Sequence, residues 1–203
     1  QVDVLVNNAG YGSYGSLEEV PLEEGRRQFD VNIFGLARMT QLVLPGMRAA
    51  GSGRIINISS IGGKMYEPLG SWYHATKFAV EGLSDSLRLE LKPHGIRVSI
   101  IEPGGTATEW GGIARDSLLA VSGSGPYAEQ ARRHARILGA PDAAFLSEPA
   151  AIAKDIVHAA TAARPKTRYP SGSGAAAILA LRRLLPDRAF DFALRQVFAR
   201  MAK

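Results

Sequence analysis

Asn57-Ile58-Ser59-Ser60, followed thirteen residues after Ser60 by Tyr73-His74-Ala75-Thr76-Lys77, decides the reading of this chain. Arg54–Ser59 is a short apolar run that reads as a buried strand, which puts Ser60 at its carboxyl end. Tyr73 and Lys77 stand at i and i+4, on one helix face a turn apart. An ammonium held beside a phenol stabilises the phenolate. Bringing a phenol from about 10 to about 7 takes roughly 4 kcal/mol of preference for the anion. The trio therefore points to a tyrosine that exchanges protons, with a serine hydroxyl beside it.

Working outward, Val2–Val6 is a second strand candidate, ending in Asn7-Asn8-Ala9-Gly10. Ser16-x-x-Glu19 and Pro21 to Glu24 mark helix starts. Apolar residues from Phe29 to Met47 recur at helical spacing, so 22–50 reads as largely helix with a kink at Pro45. The helix bearing Tyr73 continues through Val80, Leu83, Leu87 and Leu91, and Pro93 and Gly95 close it. Arg97–Glu102 is the next strand, ending at Pro103-Gly104-Gly105. Strand, helix, strand, helix, strand implies a parallel sheet. From Gly104 to about Glu148 the chain reads as an irregular lid with a short helix near 127–138. A helix over 149–163, a short strand over 166–170 and basic terminal helices complete the expectation of one domain.

Gly10-Tyr11-Gly12-Ser13-Tyr14-Gly15 fits the dinucleotide fingerprint Gly-x-Gly-x-x-Gly. The next strand starts only at Arg54, beyond the ~30-residue βαβ unit, and no acidic residue ends a strand ~20 positions on. These glycines read instead as a tight loop beside the active site.

Together these segments resemble a classical short-chain dehydrogenase/reductase. Asn7-Asn8-Ala9-Gly10, Asn32, Ser60, the Tyr73/Lys77 pair and Pro103-Gly104 occur in the family's order. The resemblance covers nearly all of the chain and lies nearest the steroid- and retinol-dehydrogenase branch. It implies an α/β fold of the Rossmann type, a doubly wound parallel sheet, and hydride transfer between a nicotinamide cofactor and a carbonyl or alcohol carbon. Tyr73 would be the general acid or base and Ser60 would polarise the substrate oxygen. Lys77 would depress the Tyr73 pKa and hold the nicotinamide ribose, and Asn32 would hold a water that relays protons to Lys77. Asn8, Ala9 and Gly10 would line the adenosine side, with Pro103, Gly104, Thr106 and Thr108 at the nicotinamide. The cofactor is expected to be NADP, with NAD the alternative. The family's phosphate-cradling Thr-Gly-x-x-x-Gly-x-Gly is not in these 203 residues. The expectation is an N-terminally truncated domain, with roughly 80 residues of the dinucleotide half preceding Gln1.

Composition narrows the rest. With 46% apolar and 21% charged residues the chain is ordinary for a globular domain. It has no cysteine, which excludes disulfides and thiolate metal sites and fits a reducing, cytoplasmic compartment. The four histidines lack metal-ligand spacing, so no metal is expected. No apolar run reaches the ~20 residues of a membrane span. The net charge of +5 is uneven: residues 164–203 carry +7 and the remainder −2. Ile178, Leu181, Leu184, Leu185, Phe190, Leu194 and Val197 form apolar stripes in this tail beside several arginines. Such a segment can lie peripherally on an anionic membrane or pack on the body or a partner subunit, and packing is the expectation. Nucleic acid is not expected, for want of interleaved exposed aromatics. Trp110, Ile113, Leu118, Leu119, Tyr127 and Phe145 would make an apolar lid suited to a small lipophilic carbonyl or alcohol. A homo-oligomer is compatible with the family. The rival function is a catalytically silent binding or scaffold protein that uses the basic tail as its contact surface.

Overall fold

Ile55 and Ile56 are adjacent, both completely buried, and point to opposite faces of the sheet. That double burial is the mark of a parallel sheet covered on both sides. The computed structural model describes residues 1–139 and 146–201 and contains four parallel strands in the order β1-β2-β3-β4. They are β1 (Val4–Asn7), β2 (Gly53–Ile58), β3 (Ile96–Pro103) and β4 (Arg168–Ser171). The register sets Asn7 beside Asn57 and Asn57 beside Ile100, so the carboxyl ends of β1 to β3 align along one crest.

The chain leaves β1 through α1 (Leu22–Phe29), a π-helical turn (Asp30–Gly35) and α2 (Leu36–Ala50). The distortion expected at Pro45 lies instead at Asp30–Gly35. The α-helix runs on through Pro45 to Gly51, whose left-handed conformation caps it. The Ser16 hydroxyl accepts the Glu19 N–H and donates to the Glu19 carboxylate, but this closes only a turn, and the helix begins at Leu22. After β2, a 3₁₀ turn (Ile61–Gly63) leads to α3 (Ser71–Leu91).

Met47, Val43, Leu87 and Leu91 of α2 and α3 pack on Ile55, Ile96 and Val98. The opposite face, Ile56, Ile101 and Tyr169, is covered by Ile152, Ile156 and Ala159 of α6 (Pro149–Thr161). The doubly wound architecture follows from these two clusters.

The lid holds two helices: α5 (Ala128–Gly139) matches the short helix expected near 127–138, whereas α4 (Trp110–Ser122) lies where irregular chain was expected. Leu118, Ala114, Ala131 and Ala135 close a core with Tyr14, Leu69 and Tyr73. Leu118 and Trp110 face that core, and Tyr127 packs at its edge. Ile113 and Leu119 do not: they are exposed on the outer side of α4. Phe145 lies outside the described residues.

The tail forms α7 (Ala175–Leu184) and α8 (Asp187–Met201). It is docked through Phe190, which is buried edge-on against Tyr66, while the Arg182 guanidinium lies over both rings. Asp191 accepts from the Tyr66 hydroxyl at 2.9 Å. Among the described residues no helix is long and apolar enough to cross a membrane.

Candidate active site

Ser60, Tyr73, Lys77 and Asn32 come from β2's end, α3 and the π-turn, and the fold gathers them at the crest of the sheet. Ser60 is fully extended and its Oγ accepts the Gly62 N–H at 3.0 Å, which starts the 3₁₀ turn and fixes the hydroxyl. Tyr73 and Lys77 occupy the first two turns of α3. Lys77 Nζ donates to the carbonyl of Ile58 at 3.1 Å and stands 5.9 Å from the centre of the Tyr73 ring. That bond uses one of three ammonium donors.

Asn32 is buried and braces the loop after β1. Its Nδ2 donates to the Tyr11 carbonyl at 2.9 Å and to the Thr76 hydroxyl at 3.0 Å, and its Oδ1 accepts the Tyr11 N–H at 3.1 Å. Gly10 sits between this amide and Lys77: a β-carbon there would lie 3.1 Å from Asn32 Oδ1 and 3.8 Å from Lys77 Nζ. Gly12 approaches Tyr73 and Trp110 so closely that a β-carbon would meet them at 3.2 Å and 2.8 Å. Gly10 and Gly12 thus serve close approach of backbone to the site, whereas Gly15 packs against Val20 and Val121.

The electrostatics depart from the expectation that Lys77 depresses Tyr73. Burial pushes the Tyr73 phenol up to about 12; interaction with the Ser60 side chain opposes this and the Glu67 carboxylate adds to it. Burial pushes Lys77 down to about 8, with Glu81 one turn on pulling it back up. The cause is packing: Tyr14 and Trp110 cover the Tyr73 ring, with centroids 5.8 and 5.2 Å away, while Lys77 Nζ turns to Ile58. At neutral pH the phenol is therefore protonated, the form a general acid needs.

His74, between Tyr73 and Lys77, is held in local hydrogen bonds. Its Nε2 accepts the Glu67 N–H at 3.1 Å, which leaves the proton on Nδ1 to bond the Gly62 carbonyl at 2.9 Å. Asn8, Ala9 and Gly10 are exposed beyond β1, and Gly105 and Thr108 are exposed beyond β3. Thr106 pairs with Ser147, and the Trp110 N–H reaches the Thr108 hydroxyl at 3.4 Å. Among the described residues no group of three or more histidines and carboxylates could hold a metal ion.

The chain is similar to known proteins over most of its length. A family profile described as short chain dehydrogenase matches residues 1–117. The chain belongs to the short-chain dehydrogenase family. An uncharacterized oxidoreductase of Schizosaccharomyces pombe is 38% identical over 193 residues, which are 94% of this chain and 78% of the relative. The crystal structure of a short-chain dehydrogenase from Streptomyces avermitilis superposes with a TM-score of 0.75 at 34% identity, covering 97% of this chain and 70% of the other. A 3-oxoacyl-[acyl-carrier protein] reductase from Brucella melitensis, solved with bound NAD, gives 0.62 at 29% identity over 82% of this chain and 60% of its own. For a short-chain dehydrogenase, the open crest beside Gly10 and the two spare donors of Lys77 fit the ribose and nicotinamide of such a dinucleotide.

Sequence reasoning located the trio but missed Glu67, Tyr14 and His134, which cluster beyond Tyr73. The Tyr14 hydroxyl donates to Glu67 at 2.6 Å, and the Tyr14 ring stacks on His134 at 6.0 Å. No local motif joins three residues so far apart in sequence.

Proposed function

We propose that this short-chain dehydrogenase is an NAD(P)-dependent oxidoreductase that interconverts a lipophilic carbonyl compound and its alcohol, NADP being the preferred cofactor. The observation that carries the reading is the convergence of Asn32 and Lys77 on Gly10 and of Tyr73 on Gly12, with the Ser60 side chain interacting with Tyr73. The cofactor supplies the hydride when bound; the chain supplies the proton and the positions. Tyr73 Oη gives its proton to the oxygen of the reacting carbonyl and Ser60 Oγ donates a hydrogen bond to the same oxygen. Lys77 Nζ, positively charged below about pH 8, steadies the phenolate left behind and binds the ribose hydroxyls. Asn32, whose Oδ1 keeps a second lone pair beside Gly10, holds the water that returns a proton to Lys77. Asn8, Ala9 and Gly10 take the adenosine side, and Pro103, Gly104, Thr106 and Thr108 the nicotinamide side.

Burial of the Tyr73 ring by Tyr14 and Trp110 supports an apolar substrate of the kind steroid- and retinol-type relatives turn over. The tail supports packing on the body over a membrane contact, since Phe190 and Arg182 are engaged there. Exposed Phe34, Met39, Leu42, Phe78 and Leu89 along α2, α3 and the π-turn support a homo-oligomer. The cysteine-free composition supports a reducing, cytoplasmic setting. An assembled proton-transfer site favours the enzyme over a silent scaffold. The test is oxidation of NADPH and of NADH by the intact protein with a panel of aliphatic and aromatic aldehydes and ketones, followed by loss of reduced-nicotinamide absorbance. Carbonyl-dependent oxidation supports the reading; none across the panel with a folded protein refutes it.

A further inference from the structure

Lys77 carries its charge without a counter-ion in contact. Among the described residues its ammonium makes one hydrogen bond, to the uncharged Ile58 carbonyl at 3.1 Å. Its other neighbours are the Gly10 backbone, with the Asn32 amide beyond it, and the protonated Tyr73 phenol. An ammonium in such a setting loses hydration and gains no opposite charge at its own nitrogen to make up for it.

One turn further along α3 stands Glu81, and it is buried. Side chains of a helix lean toward its N-terminus. A β-carbon on Gly63 would lie 2.8 Å from Glu81 Cγ and 2.9 Å from the Lys77 carbonyl oxygen, so the Glu81 side chain folds back over the turn that carries Lys77. Its Oε2 accepts from Arg168 Nη1 and stands 3.3 Å from Lys64 Nζ. Its Oε1 is buried with no hydrogen-bond partner among the described residues. A buried acceptor without a donor is costly, and folds keep few of them. Here it leaves one oxygen of the carboxylate uncovered, on the helix face that Glu81 shares with Lys77.

The charged groups around this stretch come from four elements. α3 carries Glu81 and, a turn later, Asp85 with its partner Arg88; the loop after the 3₁₀ turn carries Lys64; β3 carries Glu102 and β4 carries Arg168. Of these, Glu81 pulls the Lys77 pKa back up, to about 8, against burial. Resting on the reading of Lys77 given above, we propose that Glu81 is a positioning residue for the proton transfer. Arg168 and Lys64 hold its carboxylate from one side, and the carboxylate keeps Lys77 charged at neutral pH across one helix turn. The two jobs are thereby separated: the Ile58 carbonyl aims the ammonium and Glu81 sets its charge. A carboxylate in contact would occupy the two spare ammonium donors; one turn away it leaves them open.

Glu81→Gln tests this, since it keeps the side chain's volume and leaves Arg168 with Glu102 and Asp85. The Lys77 titration is read by carbon-13 NMR of the intact, lysine-labelled protein without cofactor, its signal assigned with Lys77→Arg. The pH profile of kcat/KM for NADPH oxidation with the best carbonyl compound is measured beside it. Glu81→Gln should lower the Lys77 midpoint by about one pH unit, the low end for one nearby opposite charge, and move the alkaline decline of kcat/KM down with it. Glu81→Gln paired with Lys64→Met removes one charge of each sign and should show the same fall, which covers the case in which the single variant does not fold. Glu81→Asp keeps the charge and should restore most of the midpoint. Asp85→Asn removes a charge held by the same arginine and should move neither reading. A midpoint that stays in place without the Glu81 charge, or falls as far in Asp85→Asn, overturns the proposal. A midpoint that falls while the kcat/KM decline stays put keeps the hold of Glu81 on Lys77 and refutes the role given to Lys77 in turnover.

Discussion

Replacing Arg168 by methionine should loosen the helix that carries Tyr73 and Lys77. Arg168 reaches from β4 to Glu81 and Asp85 on α3 and to Glu102 on β3, the last at 3.0 Å. The Glu81 and Glu102 side chains are only 4% and 3% exposed, so their charges depend on it; Lys64, 3.3 Å from Glu81, and Lys77, one turn before it, are further cations nearby. Removing one partner of a buried ion pair costs roughly 3–5 kcal/mol. Arg168 is itself 26% exposed, which favours the lower end, about 3 kcal/mol. For a chain of this size that is a fall in Tm of about 6–12 °C by differential scanning calorimetry. The pH dependence carries a sign. Burial and Glu81 already push Glu102 up while Arg168 opposes them. The arginine's contribution through Glu102 is present while that carboxylate is ionised and is lost as it protonates. The deficit of Arg168→Met should therefore shrink between pH 7 and pH 5. A fall in Tm under about 2 °C, or a deficit that does not change with pH, would refute the reasoning.

Other consequences concern the site and its lid. Lys77 is pushed down to about 8, so its charge is lost as pH rises through that value; kcat/KM for reduction should decline above about pH 8, and a profile flat well beyond it would count against Lys77. Leu118→Ala empties a fully buried position under the lid and should cost about 3 kcal/mol in urea unfolding, where a loss below ~1 kcal/mol would mean that α4 does not pack as described.

The sequence carried the site further than it carried the lid. Ser60, Tyr73 and Lys77 were legible because strand end and helix period fix their relative positions over a short span of chain. The two strands around them were legible as apolar runs with one termination signal each. The α4 helix was not, because Trp110-Gly111-Gly112 opens it with poor helix formers. Its stability comes from burying Ala114, Leu118 and Ser122 against residues distant in sequence. The π-turn at Asp30–Gly35 was likewise invisible, since one extra residue in a turn barely disturbs the apolar pattern and Pro45 offered a more familiar cause of a kink. Burial also reversed the expected Tyr73 shift, because no spacing rule reports that Tyr14 and Trp110 close over the phenol.

The central claim is that Tyr73 delivers the proton while the rest of the site holds the reactants. Single-turnover hydride transfer by Tyr73→Phe, measured beside cofactor binding and circular dichroism, isolates that proton. The account predicts an unchanged fold, dinucleotide affinity within about threefold of wild type, and transfer slowed by about a thousandfold. Transfer within about tenfold of wild type, with binding intact, would contradict it.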